Sequence, residues 1–332
     1  MRLPAYDEIA AGAVVVSIPM RVRFRGVTTR EAVLLRGPAG WGEFAPFVEY
    51  EDDEAANWLA AGIEAAWAGP PTPRRDMVPI NATVPAVDPA QVPEVLARFD
   101  GATTAKVKVA ERGRDPREDI ERVRAVRALI PNVRVDANGG WTVNEAVDML
   151  SALTADGPLE YAEQPCATVE ELVEVRRRLP GVRIAADESI RRAEDPMKVV
   201  RAGGADVAVV KVAPLGGMRA LVGLSETLAE SGVPVVVSSA LDTAVGISAG
   251  LAAAAAVPDL EMACGLGTGG LFVEDVAAAH VTVDGEFPVT AVEPDGDRLA
   301  RLSARSDRVS WWMERMRRCH ERLESGSSSL FV

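Results

Sequence analysis

Only Lys106, Lys108, Lys198 and Lys211 are lysines among the 36 basic residues of this chain; the rest are arginines. A lysine amine can shed its proton and act as a base, which an arginine guanidinium in a protein does not do. Three of the four stand in β-like apolar runs: Lys106 and Lys108 in Thr104–Val109, and Lys211 at the end of Asp206–Lys211. Positions i and i+2 of a strand face the same way. Lys106 and Lys108 therefore point together, and each is expected to depress the other's pKa. Lysine is ordinarily a surface residue, but β-branched neighbours read as buried strands and favour chemistry.

Acids end the runs between these lysines. Asp136, Glu163 and Asp187 close three consecutive ones. Neighbouring strands lie about 4.8 Å apart, so the three carboxylates converge and repel unless a cation joins them. An all-oxygen set without His or Cys favours Mg²⁺ over zinc, with Mn²⁺ as a substitute and open positions for a substrate carboxylate. Each acid taken singly reads as a turn or helix-cap residue; three in register favour the ion. Ser238 and Ser239, near Asp242, fit either substrate binding or the cap of the next helix. Gly265–Gly270 formally matches G-x-G-x-x-G, but it follows the last run, whereas a dinucleotide fingerprint follows the first. NAD is not expected. The loop's backbone amides, beginning at Gly265, are candidates for gripping an anion. Trp41, Phe44 and Phe47 either wall a pocket or pack among themselves, and Glu274 and Asp275 read as solvated. The only histidines, His280 and His320, lie away from strand ends, which leaves acid–base work to Lys, Asp or Glu.

These groups need a scaffold that gathers strand ends. Apolar β-branched runs recur at Ile80–Val84, Thr104–Val109, Asn132–Asp136, Leu159–Glu163, Val182–Asp187, Asp206–Lys211, Val233–Ser238 and Leu260–Cys264. Helix-like stretches between them include 116–129, 143–154, 168–179, 195–202, 218–231 and 243–256. That alternation predicts an α/β fold, a (β/α)7β TIM-type barrel whose C-terminal strand ends form one rim. Residues 1–76 differ, with an antiparallel meander over 14–17, 21–24 and 32–35, a helix near 55–68 and a Pro-rich linker at 70–73. After residue 270 come strand-like His280–Val283 and Val289–Val292, a helix at Arg308–Leu323 and a Gly/Ser tail. The expected division is a capping segment 1–76, a barrel 77–270 and a C-terminal segment 271–332 returning to an α+β cap. A cap over the mouth can close on a ligand.

Composition narrows the partners. A net charge of −13 argues against nucleic acid or anionic membrane. Three widely spaced cysteines form no zinc or disulfide pattern and suggest a reducing compartment. No apolar run is long enough to span a bilayer. The expectation is a cytoplasmic protein with a small-molecule carboxylate substrate and no implied protein partner.

Lys106-Val-Lys108, Asp136-Ala-Asn138, Glu163-Gln-Pro165, Asp187-Glu-Ser189 and Lys211 resemble the enolase superfamily, whose members use a Lys or His base with Mg²⁺ to stabilise an enediolate. A lysine on each side of the acids is similar to the muconate-lactonizing branch. The resemblance implies that Asp136, Glu163 and Asp187 bind Mg²⁺ and that Lys108 takes the proton α to a carboxylate. Lys211 stabilises the enediolate from the opposite face, and Lys106 tunes Lys108. Asn138, Ser238, Ser239 and Gly265 are the candidates for contacting substrate. Residues 163–166, 238–242 and 263–268 are most similar to dehydratases of that branch, in which loss of a β-hydroxyl leaves an aromatic ring. The residues themselves leave open which lysine donates and which accepts. Opposed lysines also suit racemisation of N-acyl amino acids or dipeptides, although Cys264–Gly270 lacks the Asp-x-Asp that dipeptide epimerases use for an amine.

Overall fold

The computed structural model describes residues 1–24, 26–191 and 195–326; the tail beyond 326 lies outside the described residues. Near the N-terminus, alternating apolar side chains form an antiparallel sheet of β1 (Ala13–Phe24), β2 (Val27–Gly37) and β3 (Gly40–Phe44). The two runs expected at 14–17 and 21–24 are one strand, whose pairing with β2 slips between Pro19 and Phe24. Pro19 has no amide N–H to extend the ladder. Helix Asp52–Ile63 lies directly on β3, and a Cβ added to Gly42 would stand 1.9 Å from the Gly62 carbonyl oxygen. Only glycine allows that backbone approach. The helix expected at 308–323 spans Ser306–Glu324, where Trp312 meets the Phe44 ring edge-on at 5.8 Å. The C-terminal helix thus shares the apolar core of the N-terminal sheet.

After β4 (Met77–Pro79), seven parallel strands run side by side in chain order: β5 (Ala82–Val84), β6 (Thr104–Lys108), β7 (Asn132–Asp136), β8 (Tyr161–Glu163), β9 (Ile184–Ala186), β10 (Val207–Val210) and β11 (Val235–Val237). Helices fill the intervals, started by side-chain caps such as Asp115, Thr142 with Glu145, and Thr168 with Glu171. Alternation sorts each strand into two faces. Ala105, Val107, Val133 and Val135 enter the core beneath the helices, while Lys106, Lys108, Arg134 and Asp136 are left for the interior.

Two expectations change. The eighth run makes no strand. Cys264 bridges Ile80 and Gly265 bridges Ser238, so one rung on each side joins the two edges of the curled sheet. The chain then tightens into a short turn over Gly267–Leu271. No strands form at 280–283 or 289–292 either. Asp284 and Gly285 both take positive φ, 51° and 79°, a tight-turn pair. Beyond it β12 (Glu286–Pro288) pairs antiparallel with β4. Among the described residues no helix is long and apolar enough to cross a membrane.

Candidate active site

The strand register brings the ionisable residues together. Lys108, Asp136 and Glu163 are successive cross-strand partners on β6, β7 and β8. Asp187 follows β9 and Lys211 follows β10 on the same rim. The chain leaves these strands abruptly, with Asn138 at φ 46° and Gln164 at φ 39°. Such left-handed non-glycine residues are costly and cluster where geometry is over-determined. Gln164 holds two rim segments together: its Oε1 accepts from the Asp187 and Ser189 amides at 3.1 and 3.2 Å, and its Nε2 donates to Ser189 Oγ at 2.8 Å.

Lys106 Nζ donates to both Glu163 oxygens at 3.0 and 2.9 Å and lies 3.2 Å from Asp136 Oδ2. Lys108 Nζ reaches Asp136 Oδ2 at 2.5 Å and Asn138 Oδ1 at 2.7 Å. Lys211 Nζ lies 2.5 Å from Asp187 Oδ2. Burial pulls the Lys106 amine down, yet Glu163 and Asp136 together hold it well above lysine's ordinary value. The expected depression of Lys106 is therefore overturned, because two carboxylates outweigh one neighbouring lysine. Burial raises Asp136, but Lys108 and Lys106 outweigh it and hold that carboxyl far below its usual range. Glu163 is pushed up to about 7 by burial and by the charge of Asp136, which Lys106 only partly offsets. Asp136 has two ammonium groups, whereas Glu163 has only a share of one.

Nine of the ten anticipated residues line one cavity of about 30 Å³: Lys106, Lys108, Asp136, Asn138, Asp187, Lys211, Ser238, Ser239 and Gly265. Glu163 sits against it through Lys106. Phe47 does wall this cavity, with the Arg30 guanidinium 4.6 Å from its ring centre, whereas Phe44 packs on Trp312 and Trp41 lines a separate groove. Sequence reasoning missed Phe24, whose ring centre is 4.9 Å from Lys108 Nζ, as well as Thr83 and Thr268. Period-two alternation could have placed Thr83 inward; nothing local marks Phe24.

Ser238 and Ser239 do not cap the following helix. Thr243 does, accepting from the Val245 amide, while both serine hydroxyls donate to the Gly265 carbonyl at 3.3 and 3.2 Å. The Gly265 amide donates to the Val237 carbonyl, so it grips no anion. Its lack of a Cβ is what the site uses, since one would stand 2.5 Å from Ser238 Oγ. Behind this wall a second acidic group joins cap to barrel. Glu43 accepts from the Thr243 amide at 3.0 Å, Thr243 Oγ1 at 2.5 Å and the Gly246 amide at 3.1 Å. Asp275, expected in solvent, is buried and accepts from the Ala244 and Val276 amides. Asp242 is half-buried and accepts from the Ala240 amide.

The rim acids suit a hard divalent cation in kind: all oxygen, buried, on neighbouring strand ends, with Glu163 short of positive charge. Among the described residues, no three acidic, histidine or cysteine side chains stand together as a formed cation cage. The ammonium groups stand between the acids instead.

Residues 90–294 match the family described as enolase C-terminal domain-like, and residues 15–66 match enolase N-terminal domain-like. The chain is 64% identical over 306 residues to the o-succinylbenzoate synthase of Mycobacterium ulcerans (strain Agy99), covering 92% of each. It is 63% identical over 321 residues to that of Mycobacterium tuberculosis (strain ATCC 25618 / H37Rv), covering 97% of each. Among solved structures, muconate lactonizing enzyme from Pseudomonas fluorescens, complexed with muconolactone, shares the fold at TM-score 0.73 and 22% identity, over 88% of this chain and 98% of that one.

Proposed function

The chain belongs to the enolase superfamily, among its o-succinylbenzoate synthases, and from that premise we propose how its site works. The enzyme is a carbon–oxygen lyase that dehydrates 2-succinyl-6-hydroxy-2,4-cyclohexadiene-1-carboxylate to o-succinylbenzoate, a step of menaquinone biosynthesis. Lys108 removes the ring proton α to the carboxylate. Lys211, across the cavity on the β10 side, keeps its ammonium against the growing enediolate charge. The Lys108 ammonium then returns its proton to the departing β-hydroxyl, and the ring becomes aromatic. Lys106 is a poor base because Glu163 and Asp136 hold it protonated; it serves as a fixed positive charge that favours proton loss from its neighbour. Superfamily members generally bind Mg²⁺, and Asp136, Glu163 and Asp187 are the residues that would hold it, with Mn²⁺ as a substitute. When bound, that ion neutralises the substrate carboxylate and acidifies the adjacent C–H.

The observation that carries this reading is that Lys108 on β6 and Lys211, just after β10, line one cavity. At about 30 Å³ the cavity is far smaller than the few hundred Å³ typical of ligand pockets. Binding must draw the ammonium groups off their carboxylates and shift the cap ring of Phe24, which afterwards excludes water. The test is dehydration of the cyclohexadiene substrate with and without EDTA. Turnover lost to chelation and restored by Mg²⁺ is expected; a purified chain inert with Mg²⁺ present refutes the reading. The opposed lysines also permit racemisation of N-acyl amino acids. Deuterium entering a chiral N-acyl amino acid in D₂O would establish it as a second activity.

A further inference from the structure

The barrel mouth has two unlike halves. From β6 round to β10 it presents ammonium groups and carboxylates in contact with one another. From β11 through the bridging segment to β5 it presents hydroxyls: Ser238, Ser239, Thr268 and Thr83. Three of these have partners. Ser238 and Ser239 donate to the Gly265 carbonyl, and Ser239 and Thr268 share a 2.6 Å hydrogen bond.

Thr83 has none. It is 2% exposed, its Oγ1 has no hydrogen-bond partner among the described residues, and it lines the cavity. Its strand neighbours Ala82 and Val84 pack into the core outside the sheet, which puts Thr83 on the inner face in register with Lys106. A buried hydroxyl without a partner destabilises a fold, and valine has the same shape without that cost. The unused donor therefore points to a ligand.

We propose that Thr83 donates its hydroxyl hydrogen to the ketone oxygen of the substrate's succinyl arm, which makes the neutral half of the mouth the subsite for that arm. This rests on the reaction assigned above. The ring carboxylate belongs with the charged half, where Lys108 and Lys211 act beside it. The arm leaves the adjacent ring carbon and must extend out of that half. An uncharged carbonyl suits an uncharged donor, whereas the arm's terminal carboxylate would call for a cation, and no charged side chain belongs to the hydroxyl half. Thr83 is thus a specificity-determining residue that holds substrate and transition state alike.

Two ligands separate this role from a structural one: o-succinylbenzoate, and 2-(3-carboxypropyl)benzoate, in which a methylene replaces the ketone. By titration calorimetry the unaltered protein should bind the ketone about tenfold more tightly, the scale of one good hydrogen bond. Thr83→Val should abolish that difference without weakening the methylene compound, and Thr83→Ser should restore most of it. In turnover, Thr83→Val should raise KM about tenfold with kcat within about twofold. Its melting temperature should not fall, because the hydroxyl satisfies nothing in the protein. A valine variant that still discriminates as the unaltered chain does, or that weakens both ligands equally, overturns the proposal. If the unaltered chain dehydrates substrate and the valine variant still discriminates, this inference alone fails. If the unaltered chain neither dehydrates substrate nor binds o-succinylbenzoate, the functional reading fails and the inference with it.

Discussion

Two trios of acids shielded wholly or partly from solvent lie near each other in this molecule, and they are satisfied differently. Asp136, Glu163 and Asp187 at the rim face lysine ammonium groups on flexible stems. Glu43, Asp242 and Asp275 at the cap junction face backbone amides held by the fold. An ammonium can swing aside for a cation and a substrate; an amide in a helix start cannot. Convergence of carboxylates therefore does not by itself mark a metal centre. What neutralises them differs: movable ammonium groups at the rim, fixed backbone amides at the junction.

The largest expected effect separates the rim from the junction by chemistry. Lys108→Arg and Lys211→Arg keep the positive charge but remove a usable amine, so kcat should fall by about 10²–10⁴-fold with unchanged circular dichroism. Near-normal turnover in either variant would remove the rim's claim. The next effect concerns the ion. Glu163→Gln or Asp187→Asn should weaken Mg²⁺ binding by about 100-fold in calorimetry, while Glu43→Gln should leave it within about twofold. Equal losses from both trios would erase the distinction between them.

The smallest effect is a pH slope. Burial and the charge of Asp242 push Glu43 up to about 8, despite its hydrogen bond from Thr243 and the charge of Arg30. Between about pH 5 and 8 the folded chain keeps a proton on Glu43 that the unfolded chain releases. Stability should then fall as pH rises through that window and level off above it, by at most about 1.4 kcal/mol per pH unit. Asp275, at about 6, adds to the lower part of the window with the same sign. Denaturant titrations of Glu43→Gln should give a flatter profile than the unaltered chain. A profile with the original slope would move the proton elsewhere.

Much of the rim was legible because strand periodicity is short-range. Lys106 and Lys108 face one way from their spacing alone, and the acids ending three successive runs follow from the beat of strands and helices. The eighth strand was misread because apolar content at 260–264 does not reveal that one rung per side suffices to join the edges. The strand at 286–288 was misplaced because apolar runs outweighed the Asp284-Gly285 turn signal. The junction acids were invisible for a different reason: Glu43 meets Thr243 across 200 positions, and no local pattern encodes such a pairing.

By itself, then, the sequence determined which amines and carboxylates face one rim, since alternation along a strand and order around a parallel sheet are local rules. Only the tertiary structure decided how those charges are balanced: Lys106 fixed by two acids, the serines turned onto Gly265, and Phe24 laid over Lys108 from the cap. Charge balance depends on distance and burial, and those exist only once distant segments of the chain have packed together.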